Sequence, residues 1–342
     1  MLPLSVLDLA PIGSGASARE ALGHSVALAQ LAERLGYARY WFAEHHGMPG
    51  IASSAPEVLI EHIASATSRI RVGSGGIMLP NHAPLRIAEV FHTLETLHPG
   101  RIDLGVGRAP GTDPLTSRAM RPFDAEQFPQ QLQELMGLSS GTLPAEHPFR
   151  TVRVIPAGVA LPPIWVLGSS GASARFAGSL GVGYAFARHF SPAPPEPAVH
   201  AYLETFRPSP QFPKPHVIIG VSAICADTNE RAEQLASSVD LVWVRYQRGE
   251  FGLLPSPEEA AAYPWSAHER AVAAAGRARH FVGDPSAVAA QIRELARSTG
   301  GSEIMITSMI HSHAERMRSY ELVKDCVDRG RIPNLQLPTS KA

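Results

Sequence analysis

Short apolar runs alternate along this chain with longer stretches of helical period. Leu4–Leu9, bounded by Pro3 and Pro11, reads as a buried strand. After a Gly13-Ser14-Gly15 loop, Ser17 can cap a helix from Arg19 to Leu35, where Leu22, Val26, Ala29, Leu31 and Leu35 keep helical spacing up to Gly36. The alternation continues with a strand at Tyr40–Ala43, a helix at Pro56–Ala66, a strand at Arg71–Leu79 and a helix at Leu85–Leu97. Strand Ile102–Gly107 and helix Ala125–Leu138 follow. A Pro- and Gly-rich segment, with a short strand expected near Val152–Ile155, leads to strand Pro163–Leu167 and a helix running to Leu180. Strand Tyr184–Ala187, helix Glu196–Phe206, strand Val217–Cys225 and helix Asn229–Val239 come next.

From Arg245 to about residue 280 the rhythm breaks, and an excursion of that length inside a compact domain predicts a lid or binding loop. The pattern then resumes with helix Asp284–Ala296, strand Glu303–Thr307 and helix His313–Val327, and a polar tail from Pro333 is expected to fray. Eight strands, each followed by a helix and with no composition break, predict a single α/β domain, a (β/α)8 TIM barrel with an insertion after strand seven. A doubly wound sheet is the alternative.

Composition narrows the function. The chain of 342 residues is 44% hydrophobic and 18% charged, enough for a large core. Thirty basic against 31 acidic residues, with no run of like charge, point to neither a nucleic-acid nor an anionic-membrane surface. The start Met1-Leu2-Pro3-Leu4 lacks a basic signal-peptide region, and no apolar run reaches the roughly 20 residues of a membrane span, so a cytoplasmic location is expected. Cys225 and Cys326 show no metal-ligand spacing and read as reduced thiols.

In a barrel the chemistry belongs at the carboxyl ends of the strands. There the sequence places Asp8, Leu9 and Ala10; Glu44, His45 and His46; Asn81 and His82; Gly107 and Arg108; and the turn Gly168-Ser169-Ser170-Gly171-Ala172-Ser173. Val72-Gly73-Ser74-Gly75-Gly76 loses its side chains where a strand should end, which predicts either a bulge or a bare wall for a planar ring. The serine turn follows a strand and opens a helix, so its free N–H groups, with Ser170 and Ser173 hydroxyls and neighbouring Arg108, suit a phosphate. A plain serine cap is the competing reading. His45 and His46 face opposite ways on an extended segment and are poorly placed to share a metal; one imidazole facing the pocket suits proton exchange, and a His pair hydrogen-bonded into the loop is the competing reading. His82, Asn81, Asp113, His189, His311 and His313 are weaker candidates. Gly105-x-Gly107-x-x-x-Gly111 has the wrong spacing for a dinucleotide fingerprint.

Taken together, Trp41-Phe42-Ala43-Glu44-His45-His46, Val72 to Pro80, Pro99 to Arg108 and the turn from Leu167 to Ser173 resemble the bacterial luciferase-like monooxygenase family of flavin enzymes. The resemblance spans the chain and is densest from Leu4 to Arg121. It implies a barrel holding reduced FMN, or in a sister branch the deazaflavin F420, with a non-prolyl cis peptide at Gly75-Gly76 against the ring. It places the phosphate on Arg108, Ser169, Ser170, Gly171 and Ser173, and gives His45 the catalytic histidine's part. A separate reductase would deliver FMNH2, O2 would add at flavin C4a, and one oxygen atom would pass to a small organic substrate beneath the 245–280 lid. Gly107 stands where light-emitting members carry a cysteine, a departure that speaks against light emission and leaves oxygen activation.

The alternatives are an F420-dependent dehydrogenase, a flavin-binding barrel without turnover, and an unrelated barrel acting on a sugar phosphate. Family resemblance further implies a homodimer through helices near strands two and three, with Val58 to Ala66 and the face of Ile87, Val90, Phe91 and Leu94 as candidate contacts.

Overall fold

The computed structural model describes residues 2–120 and 123–330, so the tail expected from Pro333 lies outside the described residues. The elements are β1 (Leu4–Asp8), α1 (Ala18–Leu35), β2 (Arg39–Phe42), α2 (Pro56–Ala66), β3 (Arg71–Met78), α3 (Pro84–Leu97), β4 (Ile102–Gly107), α4 (Pro114–Met120) and α5 (Phe128–Ser140). They continue with β5 (Ile164–Gly168), α6 (Gly171–Leu180), β6 (Gly183–Ala187), α7 (Glu196–Thr205), β7 (Val217–Cys225), α8 (Asn229–Gln247), α9 (Pro257–Ala262) and α10 (Ala267–Arg277). The last are β8 (His280–Gly283), α11 (Pro285–Thr299), β9 (Glu303–Thr307) and α12 (His313–Arg329).

All strand pairings are parallel. The ring runs β1-β2-β3-β4-β5-β6-β7-β9 and closes on β1, which makes an eight-stranded barrel and excludes the open doubly wound sheet. β8 stands outside the ring, paired with the last residues of β7 from Ser222↔His280 to Cys225↔Gly283.

Alternation along the strands divides the core in two. Leu4, Val6, Tyr40, Phe42, Val72 and Ile102 point outward into the layer packed by the helices. Leu7, Trp41, Ala43, Trp165, Ala185, Ile218 and Met305 point inward and fill the barrel, where Trp41 and Trp165 meet edge to face at 5.5 Å. Helix ends follow local chemistry. In α1 the Ser17 hydroxyl accepts from Glu20 N and the Glu20 carboxylate returns to Ser17 N, a reciprocal cap worth about 1 kcal/mol.

Four expectations need correction. No strand forms at Val152–Ile155, which is irregular with both residues exposed. α8 runs on past Val239 to Gln247, because Leu241 and Val244 continue its buried face while Arg277 pairs with Asp240. The excursion is helical rather than loop: α9 and α10 each carry a Ser-x-x-Glu capping box, and the segment ends in the unforeseen β8. It is fixed to the β1 rim by Ser14 N to Leu254 O (2.8 Å) and Leu254 N to Ile12 O (2.9 Å). Ile87, Phe91 and Leu94 lie in this chain's own core and are unavailable to a second copy, whereas Val58 and Leu97 are exposed. No helix among the described residues is long and apolar enough to cross a membrane.

Candidate active site

Strand ends on the carboxyl face bring most of the sequence candidates to one mouth. Asp8 is the exception. Since Leu7 points into the barrel, Asp8 points out, where it accepts from Ser25 Oγ (2.6 Å), the Tyr40 hydroxyl and Arg316 Nη2 (2.6 Å). Burial would raise its pKa, but Arg316 and these hydrogen bonds bring it below the ordinary value. Asp8 is a structural ion, not part of the mouth.

Glu44, just past β2, organises its surroundings. Its buried carboxylate accepts from His46 Nε2 and His82 Nε2 (2.9 Å each) and from Met78 N (2.8 Å). Burial alone would raise its pKa, yet hydrogen bonds from His46 and His82 overcome this and hold it at about 2. It therefore stays ionised and ties the ends of β2 and β3 together.

His45, of the inward parity of Trp41 and Ala43, is held differently. Its Nδ1 lies 3.3 Å from Gly111 O, the carbonyl that also accepts from His46 N at 3.1 Å. Gly111 has φ +69°, and a Cβ there would come within 2.7 Å of Glu44 O, so only glycine fits. A proton on Nδ1 leaves Nε2 as a lone-pair acceptor. Burial pushes the His45 pKa below that of a free imidazole, so at neutral pH it is an uncharged base.

The glycine stretch is where β3 leaves regular geometry, with the cis peptide that the resemblance implies. The Gly75-Gly76 peptide is cis, and the β3–β4 register shifts between Ser74 and Ile77, which realises the bulge reading. A Cβ on Gly73 would meet Asp103 O at 2.5 Å and Trp41 Nε1 at 2.9 Å, and one on Gly75 would meet Leu7 Cδ1 at 2.7 Å. Gly73 and Gly75 thus make room for the chain's own Trp41 and Leu7.

Arg108, directly after β4, is exposed and has no hydrogen-bond or ion-pair partner among the described residues. β5, the neighbour of β4, leads into the serine turn. Ser170 is the N-cap of α6 and accepts from Ser173 N, while Ser173 Oγ donates to Ser170 O at 2.8 Å. The Ser173 proton is therefore committed within the turn. Ser169 and the first N–H groups of α6 are left without a partner inside the turn, which is the donor set that an anion takes.

Across the ring, β6 and β7 contribute groups that sequence reasoning ranked low or missed. His189 N donates to Gly220 O (3.0 Å), and its imidazole takes the space that a side chain at Gly220 would fill. Its Nδ1 lies against the Gly220 backbone without a well-formed hydrogen bond, and Thr307 Oγ1 and Ser308 Oγ at the end of β9 are buried without a partner among the described residues. Burial lowers the His189 pKa, and His45 is near enough to lower it further. The remaining weak candidates are structural: Asp113 caps the start of α4, Asn81 donates to Pro110 O, His311 bonds to Ser14, and His313 stacks on His24. Among the described residues no group of three or more His, Cys, Asp or Glu could hold a metal ion.

Known proteins give this geometry a family. The luciferase-like monooxygenase family profile matches residues 2–303. A luciferase-like monooxygenase of Escherichia coli K12 is 44% identical over 95% of this chain and 96% of its own. The N-acetyl-S-alkylcysteine monooxygenase of Bacillus subtilis is 35% identical over 96% of this chain and 98% of its own. The crystal structure of apo-MsnO8 superposes with a TM-score of 0.84 at 35% identity, covering 96% of this chain and 99% of that one. More distant structures share the fold alone: a Pseudomonas putida diketocamphane monooxygenase in complex with FMN at 19% identity, and an F420-dependent secondary alcohol dehydrogenase at 12%. The chain belongs to the luciferase-like monooxygenase family.

Proposed function

We propose that this protein is a flavin-dependent monooxygenase that uses reduced FMN, delivered by a separate reductase, and O2 to oxygenate a small organic substrate. The observation that carries the reading is Arg108, a cation with no hydrogen-bond or ion-pair partner among the described residues, on the strand neighbouring the one that leads into α6. Guanidinium, free helix N–H groups and the Ser169–Ser170 hydroxyls form a donor set that fits a phosphate monoester. Bound there in its reduced form, FMN would supply the electrons that activate O2 for transfer of one oxygen atom.

The chain's own residues divide the remaining work. His45, neutral and fixed by Gly111 O, accepts a proton at Nε2 or holds one for return. Leu7, Trp41 and Trp165 fill the barrel beneath and keep water from entering through the floor. The α9–α10 segment, anchored through Leu254, covers the β1 side. The B. subtilis relative's name, a monooxygenase of N-acetyl-S-alkylcysteine, supports the reaction class.

Anaerobic titration with photoreduced FMN and, separately, reduced F420 tests the reading through flavin absorbance and fluorescence. Micromolar or tighter binding of reduced FMN is expected. Preference for reduced F420 would move the protein to the dehydrogenase branch, and binding of neither would remove the cofactor assignment.

A further inference from the structure

The mouth carries positive charge that the fold leaves uncompensated. Arg188, in the turn after β6, donates from Nη1 to Arg279 O at 3.1 Å and lies over the Phe281 ring, 4.5 Å from its centroid. It is half-buried and has no carboxylate at ion-pair distance among the described residues. Glu196 reaches it only through the field, and accepts from Ser298 Oγ instead. Arg279, over the Trp243 ring at 3.9 Å, also lacks an acidic partner among the described residues. Arg277 nearby shows the ordinary solution, with Asp240 and Glu233 both bonded to it.

Two imidazoles join this cluster. His189 Nδ1 is buried against the Gly220 backbone with no well-formed hydrogen bond among the described residues, and His280 spends Nδ1 on Ser222 Oγ at 2.7 Å, which leaves its Nε2. Burial, then the charges of Arg277 and Arg279, hold His280 near 4, so it feels this positive field directly. Half-buried charges are normally paired, and guanidinium with imidazoles and no acid among them is a receptor for an anion. A planar guanidinium with one edge uncommitted matches a carboxylate in shape. Phe190, two residues on in the same turn, is exposed and adds apolar surface there. In the eight-stranded ring β6 lies opposite β2 and His189 is near enough to His45 to feel a charge on it, with Arg188 and His280 behind it toward β8; β5 separates the group from Arg108.

We infer that Arg188, flanked by His189 and His280, is the anchor for the carboxylate of an organic acid with an apolar body, and that this acid is the oxygenated substrate. Calling the ligand the substrate rests on the proposed monooxygenase function; the anion site does not.

The test is calorimetric titration of the full chain near neutral pH with three pairs of equal shape: benzoate and benzamide, hydrocinnamate and hydrocinnamide, hexanoate and hexanamide. At least one acid should bind about tenfold tighter than its amide. Arg188→Gln should erase the preference, and Arg188→Lys, which keeps the charge but not the fork, should restore part of it. Equal binding of acids and amides, no acid binding at millimolar concentration, or a preference that survives Arg188→Gln would each overturn the assignment. Should Arg188→Gln not fold, His280→Gln is read the same way. Reduced FMN titrated into the same proteins separates the two claims. Unchanged FMN affinity in Arg188→Gln supports the substrate assignment, while joint loss of FMN and acid binding would overturn it. Acid preference without flavin binding in the wild type would leave the anion site standing and remove the monooxygenase reading.

Discussion

Both ends of the barrel carry arginines at strand termini, yet they serve opposite purposes. At the floor, Arg39 donates from Nε to both Glu303 oxygens (3.0 and 3.1 Å) and from Nη1 to Asp103 (2.8 Å). Arg71 also bonds to Asp103 (2.7 Å), Trp41 Nε1 reaches it at 3.1 Å, and His216 and Ser5 complete Glu303. At the mouth, Arg108 and Arg188 have no carboxylate partner among the described residues. Charge compensated within the chain belongs to the fold; charge left over at the strand ends of the mouth is available to a ligand. The same rule sets aside the cavity of about 390 Å3 at the floor, lined by Arg39, Arg71, Trp165 and His216, because its guanidiniums are already bonded to Asp103 and Glu303.

The largest expected break comes at the floor. Asp103→Asn leaves the half-buried Arg39 with Glu303 alone and the half-buried Arg71 without an acid among the described residues, and should cost about 3 kcal/mol in urea unfolding. Arg108→Ala, by contrast, should change stability by no more than about 0.5 kcal/mol. If the two variants lose stability equally, the contrast between the ends is wrong. The mouth answers in ligand affinity instead: Arg108→Ala should weaken reduced FMN about 10- to 100-fold in the anaerobic titration.

A smaller effect joins both properties at one residue. Gly111→Ala must place a Cβ within 2.7 Å of Glu44 O at a left-handed φ, a cost of about 1–2 kcal/mol. It also displaces the carbonyl that holds His45, so turnover should fall by more than the unfolding curve explains. Equal losses in the two measurements would make Gly111 a turn residue only.

The contrast between the ends also explains what could be read from the sequence. The barrel was legible because its strands are short apolar runs and its helices are long, capped and periodic, as at Ser17 and Gly36. β8 was not, since four residues with two half-buried give no pattern. Asp8 was read as a site residue because its position at a strand end was visible while the face it points to was not. The serine turn and Arg108 were legible as local chemistry. The Arg188–His280 cluster is assembled by the β7–β8 pairing from residues far apart in sequence, and nothing local marks it. The floor leaves one readable trace: Asp103 and Glu303 are acids inside apolar strands, where a charge needs a partner.

Acid titration should separate the two ends by pH window. His280 has a pKa of about 4 in the folded chain against 6.5 when free, so between these values the unfolded chain binds more protons and stability falls as pH falls. Burial lowers His45 and His189 in the same direction, and His313, away from the mouth, is also near 4, so His280 accounts for only part of the slope. Glu303 is the reverse in origin and the same in sign. Burial would raise it, but Arg39 and His216 hold it at about 2 against 4.5, so its contribution is present above 4.5 and lost as pH falls toward 2. His280→Gln should therefore flatten the stability curve between about pH 6.5 and 4 and leave the lower window alone, by at most about 1.4 kcal/mol per pH unit for one proton. Glu303→Gln should start from lower stability and flatten the window between about 4.5 and 2. Urea unfolding across that range reads both, and variants that exchanged windows would place the compensated and uncompensated charges at the wrong ends of the barrel.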